Sequence, residues 1–518
     1  MANRPILIPR RLRKIVIVVA AAAALLWGYC IVYADPAIAV MGMSFQIFTF
    51  AAGLVILLQK KPSGRLTLGN LGMIYALGCI SYLLFPSVLC LTNSSIHIQY
   101  GEYVTPEIAN LLFWLHGLYF LTFVIAYVLS SGPVSNLTII GRNQIPPGSR
   151  SLILAFVALT LLLFFAQALS TGRWLPQLNR EVAVLEEYEV GVASVQAGGL
   201  SLLRYQILNR VSGFALLFLG LGFGLIYAKY ASRKIYSLLL MIVMLVLSGF
   251  VVVFTGGGRG TGLTVMLGAL VLADYLSGPL QWRYLLGLFA VGIVGTEFLG
   301  YVRFLSTDVP FSPTDWFSYW IDTGDKFVEQ TVMLGKEAVV VSHVDSTGES
   351  WGLIYFIETV LRIIPQQIIP FKTQFTTVDS WLRDALLGAD LGRESGLAGT
   401  AIGEGYFVGG ALGVVIIGAV SGLILGLVER RLLRRGDRRL WHLIPLAYLA
   451  GNLLFLLRSD LYQLLNTLIY GVLPLSIVLR WLFKRVSPTS LWNRPLYDLR
   501  KDGFNPSPPE GYNQIVRS

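Results

Sequence analysis

Charge is what this sequence has least of. Asp, Glu, Lys and Arg together make up 13% of 518 residues, about half the share of an ordinary soluble domain. With 55% hydrophobic residues, a water-soluble fold would lack polar side chains to cover its surface. Cysteine is nearly absent too. Cys30, Cys79 and Cys90 lie in or at the ends of apolar segments. They have no metal-ligand spacing and form no even disulfide framework, so they read as small packing residues. Four scattered histidines exclude a dedicated His-metal cluster. There is no GxxxxGK[ST], no HExxH, no CxxC and no convincing GxSxG, so no nucleotide-driven step is visible. No internal repeat, no low-complexity tract and no cleavable signal pattern is found.

The net charge of +11 would suit nucleic acid if it lined one polar face. Instead the basic residues sit in short clusters between apolar runs, a pattern of membrane topology and anionic-lipid contact. Nucleic acid is therefore excluded as a partner, and membrane lipids are expected.

Apolar runs of spanning length occur near 15–33, 37–58, 68–91, 107–130, 151–170, 207–228, 236–254, 261–277, 284–302, 408–428, 440–457 and 463–483. A helix rises about 1.5 Å per residue, so roughly 20 residues cross the hydrocarbon core. The expected fold is an all-α polytopic membrane protein of about twelve transmembrane helices. The basic clusters test this count. Arg10, Arg11, Arg13 and Lys14 precede the first run, and Lys60, Lys61 and Arg65 follow the second. Arg142 and Arg150 lie between the fourth and fifth, and Lys229, Arg233 and Lys234 follow the sixth. Arg283 follows the eighth, Arg430 to Arg439 the tenth, and Lys484 and Arg485 end the twelfth. With twelve spans every cluster falls on one side, which the positive-inside bias makes cytoplasmic, with both termini inside.

The domains expected are helices 1–9 (1–303), a large outer loop (304–407), helices 10–12 (408–484) and a cytoplasmic tail (485–518). A loop of about a hundred residues is usually functional. Within it, Trp316–Ala338 and Trp351–Ile364 carry apolar residues at helical spacing, which predicts amphipathic helices near the membrane surface.

The candidate chemistry sits at the outer face. Arg259 lies in Thr255-Gly256-Gly257-Gly258-Arg259-Gly260, where a tight glycine turn and a helix N-terminus suit a phosphate gripped by arginine. A hairpin with a snorkelling arginine is the bland alternative. Arg303 closes the ninth run. Arg458 and Asp460 close the eleventh, as outer-face ligands or as a structural ion pair. Two prolines, Pro365 and Pro370, precede Lys372 in a segment that projects the lysine or merely turns. Arg393 stands in a glycine-rich stretch leading to Gly403-Glu404-Gly405-Tyr406. Glu404 reads as a general base or as a partner for one of the arginines.

In this order the Gly-Gly-Gly-Arg259-Gly junction, the late loop with Ser350-Trp351, Ile364-Pro365 and Ile369-Pro370-Phe371-Lys372, and Gly399-Thr400 through Gly409-Gly410 resemble the bacterial O-antigen-type polysaccharide polymerases. The resemblance covers mostly residues 250–430. The sequence departs from the family where an aromatic-Asn-Phe-Gly run is common and Phe407-Val408-Gly409-Gly410 stands instead. The resemblance implies a metal-independent, cofactor-free glycosyltransferase at the periplasmic face of the inner membrane. Its donor would be an undecaprenyl-pyrophosphate-linked oligosaccharide, polymerised into a surface polysaccharide, with a chain-length regulator and a flippase as possible partners. On that reading Arg259, Arg303, Arg458 and Lys372 bind the pyrophosphate. Glu404 is the first choice of base, with Asp460 or His343 second. Trp351, Arg393, Tyr406 and His343 meet the glycan, and Trp316 and Trp320 are further stacking candidates. Alternatives from other classes are an O-antigen ligase or related lipid-linked-glycan transferase, and a transporter or flippase. The last should show charge near mid-membrane.

Overall fold

The computed structural model describes residues 10–33, 40–59, 70–92, 101–131, 267–268, 271, 328–352, 354–364, 368–369, 378, 381–382, 385, 400–433, 440–457 and 461–486. Within them the architecture is all-helical. The helices are α1 (Arg10–Tyr33), α2 (Val40–Gln59), α3 (Leu71–Cys79), α4 (Phe85–Thr92), α5 (Pro106–Ser131), α6 (Val328–Thr347), α7 (Ile354–Ile363), α8 (Ala401–Leu433), α9 (Leu440–Leu456), α10 (Leu461–Asn466) and α11 (Leu473–Val486). A π-helical stretch, Ile80–Leu84, joins α3 to α4, and another, Thr467–Val472, joins α10 to α11.

Among the described residues five helical stretches are long and apolar enough to cross a membrane: Val16–Tyr33, Val40–Leu58, Leu71–Leu91, Pro106–Ser131 and Ala401–Leu432. These coincide with the first four expected spans and the tenth. The shorter apolar helices Leu443–Leu453 and Leu461–Ile477 fall on the eleventh and twelfth. The chain is thus a helical membrane protein. The spans expected from 151 to 302 lie outside the described residues apart from 267, 268 and 271, which are helical. On α1 the side chains of Ile17, Val18, Leu25 and Val32 are exposed, as lipid-facing residues are.

The bundle is held where glycine lets backbones touch. Gly418, Gly422 and Gly426 recur every four residues along α8, and a Cβ at any of them would overlap α5 at Thr122, Phe123 or Ser130. Lipid tails are as apolar as leucine, so apolarity alone does not drive helices together in a bilayer; close packing of small residues does. On the other flank of α5, Phe50 stacks on Phe120 and Phe45 on Trp114, both at 4.2 Å between ring centroids. Asn110 there accepts the amide N–H of Gly42 (3.1 Å).

Helix α8 is not one straight rod. Gly409 and Gly410 have non-helical angles, and Gly410 has φ 59°, the left-handed region that favours glycine. A Cβ on Gly405 would meet the Val414 backbone at 2.7–2.8 Å. In a continuous helix, residues nine apart are about 13 Å apart along the axis. The chain therefore reverses at Gly409–Gly410, and the short limb 401–408 folds back on the limb 411–433. The long limb alone reaches about 34 Å, enough to span.

Of the expected helix Trp316–Ala338, residues 328–338 are described and belong to α6. Its described part is buried on all sides from Met333 through Val341, packed against α4, α5 and α8. Within it the polar residues Lys336 and Glu337 are 4% and 1% exposed. Glu337 is accommodated because His116 Nε2 donates to its Oε2 at 2.7 Å. Of the expected helix Trp351–Ile364, Ile354–Ile363 is helical as α7, with Tyr355, Thr359 and Ile363 buried and Ile354, Ile357 and Val360, all apolar, exposed.

Gly422→Leu should therefore destabilise the protein by about 1–3 kcal/mol or more through overpacking against α5. Gly28→Leu, at a position with no atom within 4 Å of an added Cβ, should be close to neutral. Thermal unfolding of both variants in detergent compares them directly.

Candidate functional site

The reversal of α8 puts Tyr406 and Phe407 beside the end of α6. The turn leaving α6 is Gly348-Glu349-Ser350-Trp351-Gly352, with positive φ at both glycines (68° and 61°). Its letters match GxSxG, but it lies between two helices rather than after a strand. Ser350 Oγ donates to the Val408 carbonyl (3.1 Å), so it is a tether between segments and not a nucleophile elbow. A second tether joins the Trp351 amide N–H to the Phe407 carbonyl (2.9 Å).

Aromatic rings close round this junction. Trp351 stacks on Phe407 at 4.4 Å and 14°. Trp381 meets Phe407 edge-on at 4.5 Å, and the His343 ring lies 4.7 Å from Trp381. Carboxylates fix these rings. His343 Nε2 donates to Glu349 Oε2 (2.8 Å), and Trp351 Nε1 donates to Glu349 Oε1 (3.2 Å). Tyr406 donates its hydroxyl proton to Asp345 Oδ1 (2.8 Å). Both hydrogen bonds to Glu349, that from His343 being the larger cause, hold its carboxyl below the usual range.

Two residues before Tyr406, Glu404 is fully buried. Thr400 caps this short limb by accepting the Gly403 N–H (2.9 Å). Glu404 Oε2 accepts the backbone N–H of Leu461, the first residue of α10, at 2.7 Å. Glu404 is thus an anchor for a helix N-terminus, and solvent does not reach it in this conformation.

Of the residues singled out from sequence, the structure brings together Trp351, His343 and Tyr406, with Glu404 beneath them. Arg259, Arg303, Lys372, Arg393, Arg458, Asp460, Trp316 and Trp320 lie outside the described residues. Sequence reasoning missed Asp345, Glu349, Trp381 and Phe407. The pair Gly348 and Gly352 bounding a Glu-Ser-Trp turn was the available signal for Glu349, whereas Phe407 and Trp381 are identified only by the fold. Among the described residues no group of three or more His, Cys, Asp or Glu side chains could hold a metal ion.

A second polar cluster lies inside the bundle. His116, fully buried, uses Nε2 toward Glu337 and has Nδ1 at 3.2 Å from both Gln46 Nε2 and Ser87 Oγ. The Gln46 amide also donates to the Leu83 carbonyl in the π-helical stretch (3.2 Å), and the Ser87 hydroxyl donates to the same oxygen (2.7 Å). Gln46 has a second N–H to offer Nδ1, whereas the Ser87 hydroxyl, its one proton given to Leu83, can only accept there, so the two contacts at Nδ1 call for opposite tautomers. Sequence reading passed over His116, a lone polar residue in an apolar span, although such a residue is a functional candidate by default.

Compared with protein-family models, curated proteins and solved structures, the chain matches none.

The lowered carboxyl of Glu349 has a pH consequence. Its stabilising contribution is complete above the ordinary carboxylate range and is lost as pH falls through its lowered value. The indole N–H resonance of Trp351 should shift as acid protonates Glu349. Glu349→Gln should remove that transition.

Proposed function

We propose that the chain is a glycan transferase of the membrane, joining lipid-pyrophosphate-linked oligosaccharide units into a polysaccharide at the outer face of a bacterial inner membrane. The observation that carries this reading is the meeting of residues 343–351 with 400–410. With Trp381 it assembles two half-buried indoles, an imidazole and carboxylates in one cluster. Aromatic faces and carboxylate acceptors are what sugar rings and hydroxyls require, and both segments belong to the region of the polymerase resemblance. The outer-face side is supported by Arg430 and Arg431 at the other end of the long limb of α8, the end that the positive-inside bias favours for the cytoplasm.

In this proposal the arginines named from sequence, Arg259, Arg303 and Arg458, with Lys372, stabilise the departing pyrophosphate. Bond breaking at the anomeric carbon leaves the electron pair on the pyrophosphate, and the acceptor hydroxyl gives its proton to a base. Glu404 serves as that base only if the short limb moves to admit the hydroxyl, since its present bond is to Leu461. Asp460 and His343 are the other candidates.

A second reading, a transporter of lipid-linked sugars, has its own supporting observation. His116 and Glu337 form a fully buried pair in the bundle, and Gln46 Oε1 and Glu337 Oε1 are buried acceptors with no hydrogen-bond donor among the described residues. Intramembrane pairs of this kind mark proton and ion paths in transporters.

The deciding experiment offers purified protein a synthetic undecaprenyl-pyrophosphate oligosaccharide without nucleotide sugar or metal. A product ladder growing by whole repeat units is expected. Lipid-linked sugar crossing reconstituted vesicles without chain growth would favour the transporter, and a single product requiring another acceptor would favour a ligase. In the same assay Glu404→Gln separates base from anchor. Its amide oxygen can still accept from Leu461, so the fold should persist, while loss of a catalytic base should slow transfer about 10²–10⁴-fold.

A further inference from the structure

We propose that the cluster of Trp351, His343, Trp381, Asp345 and Glu349 is a sugar-binding site that selects hydroxyl-rich, uncharged glycans over glycans bearing uronic acids. Its role as the acceptor site rests on the transferase reading; the binding preference does not.

The rings are presented rather than merely placed at an interface. Phe407 is fully buried and backs one face of Trp351, while Trp351, Trp381 and His343 remain half-buried. An indole that only anchors a protein in a bilayer offers its N–H to lipid headgroups and water. Here the Trp351 N–H is committed to Glu349, which fixes the plane of the ring before any ligand arrives. The turn beneath is equally committed. Thr347 Oγ1 and Ser346 Oγ donate to the His343 carbonyl (2.8 and 3.0 Å), and the Glu349 N–H donates to Thr347 Oγ1 (3.1 Å). A preorganised platform loses little entropy on binding.

The polarity of the rim sets the ligand class. Asp345 is exposed and the Glu349 side chain is 45% exposed. An ionised carboxylate is acceptor-only, with about four lone-pair sites. Each oxygen of Glu349 is shown taking one donor, and Asp345 takes the Tyr406 hydroxyl, so acceptor capacity remains for incoming O–H groups. The two hydrogen bonds that hold the Glu349 carboxyl low keep it charged at neutral pH. A sugar hydroxyl donates into this rim. A sugar carboxylate brings like charge to it and has no proton to donate.

The test is calorimetric titration of the full-length protein in detergent with a neutral galactose trisaccharide and with the matched trigalacturonate. The neutral sugar should bind at least about tenfold more tightly at low salt, with the gap narrowing as salt rises. Glu349→Gln, which keeps the acceptor and removes the charge, should also narrow the gap. Trp351→Ala should weaken the neutral sugar. Trigalacturonate binding as well as or better than the neutral sugar, or neither sugar binding, overturns the proposal. Growth of lipid-linked chains without this preference would sink the inference and leave the transferase reading standing; the preference without any chain growth would do the reverse.

Discussion

Backbone contact between Gly405 and the Gly413–Val414 step is the constraint on which the rest of this structure hangs. Neither limb of α8 could approach the other with side chains at both glycines, and Gly410 supplies the left-handed turn that reverses the chain. The fold-back delivers three things at once. Phe407 reaches the end of α6, where Trp351 stacks on it. Tyr406 reaches Asp345. Glu404 is driven inward to the N-terminus of α10. The longer limb is left free to press its small face along α5.

Buried polar groups in this bundle sit where helices must be registered against one another. An unpaired charge is costly away from water, so each draws in a partner from a distant part of the chain. Glu337 on α6 is met by His116 on α5. Glu429, near the basic end of α8, accepts the Leu71 N–H at the start of α3 (3.0 Å) and lies against the Tyr127 hydroxyl. Breaking a buried pair by removing one member typically costs about 3–5 kcal/mol. Such pairs fix how far one helix slides along another, and the His116–Glu337 bond thereby fixes the height of α6. The cluster at its far end inherits that height.

What could be read from the chain follows from which signals are local. Long apolar runs are local, so 107–130 agrees with Pro106–Ser131 and 440–457 with Leu440–Leu456. The helix within Trp351–Ile364 was legible from its apolar residues at helical spacing, and Ile354–Ile363 is helical. The burial of Glu337 on α6 was not legible, because its partner His116 lies 221 residues away, which no window on the sequence contains. The reversal within 401–433 was hidden by continuous helical composition, with only Gly409-Gly410 to mark it. At the cluster, Trp351, His343 and Tyr406 stood out as polar or aromatic residues in a glycine-bearing loop. Phe407 looked like one more apolar residue at the start of a span, and its part emerges only when Trp351 lies on it.

The central claim is that α8 turns back on itself and so builds the cluster. A cryo-electron microscopy map of the full chain in lipid nanodiscs tests it most directly, through the separation of Gly405 and Gly413. The account predicts their backbones in van der Waals contact, with Trp351 packed on Phe407. A continuous helix through Gly409 and Gly410, with the two glycines about 12 Å apart along its axis, would contradict it and dissolve the cluster with it.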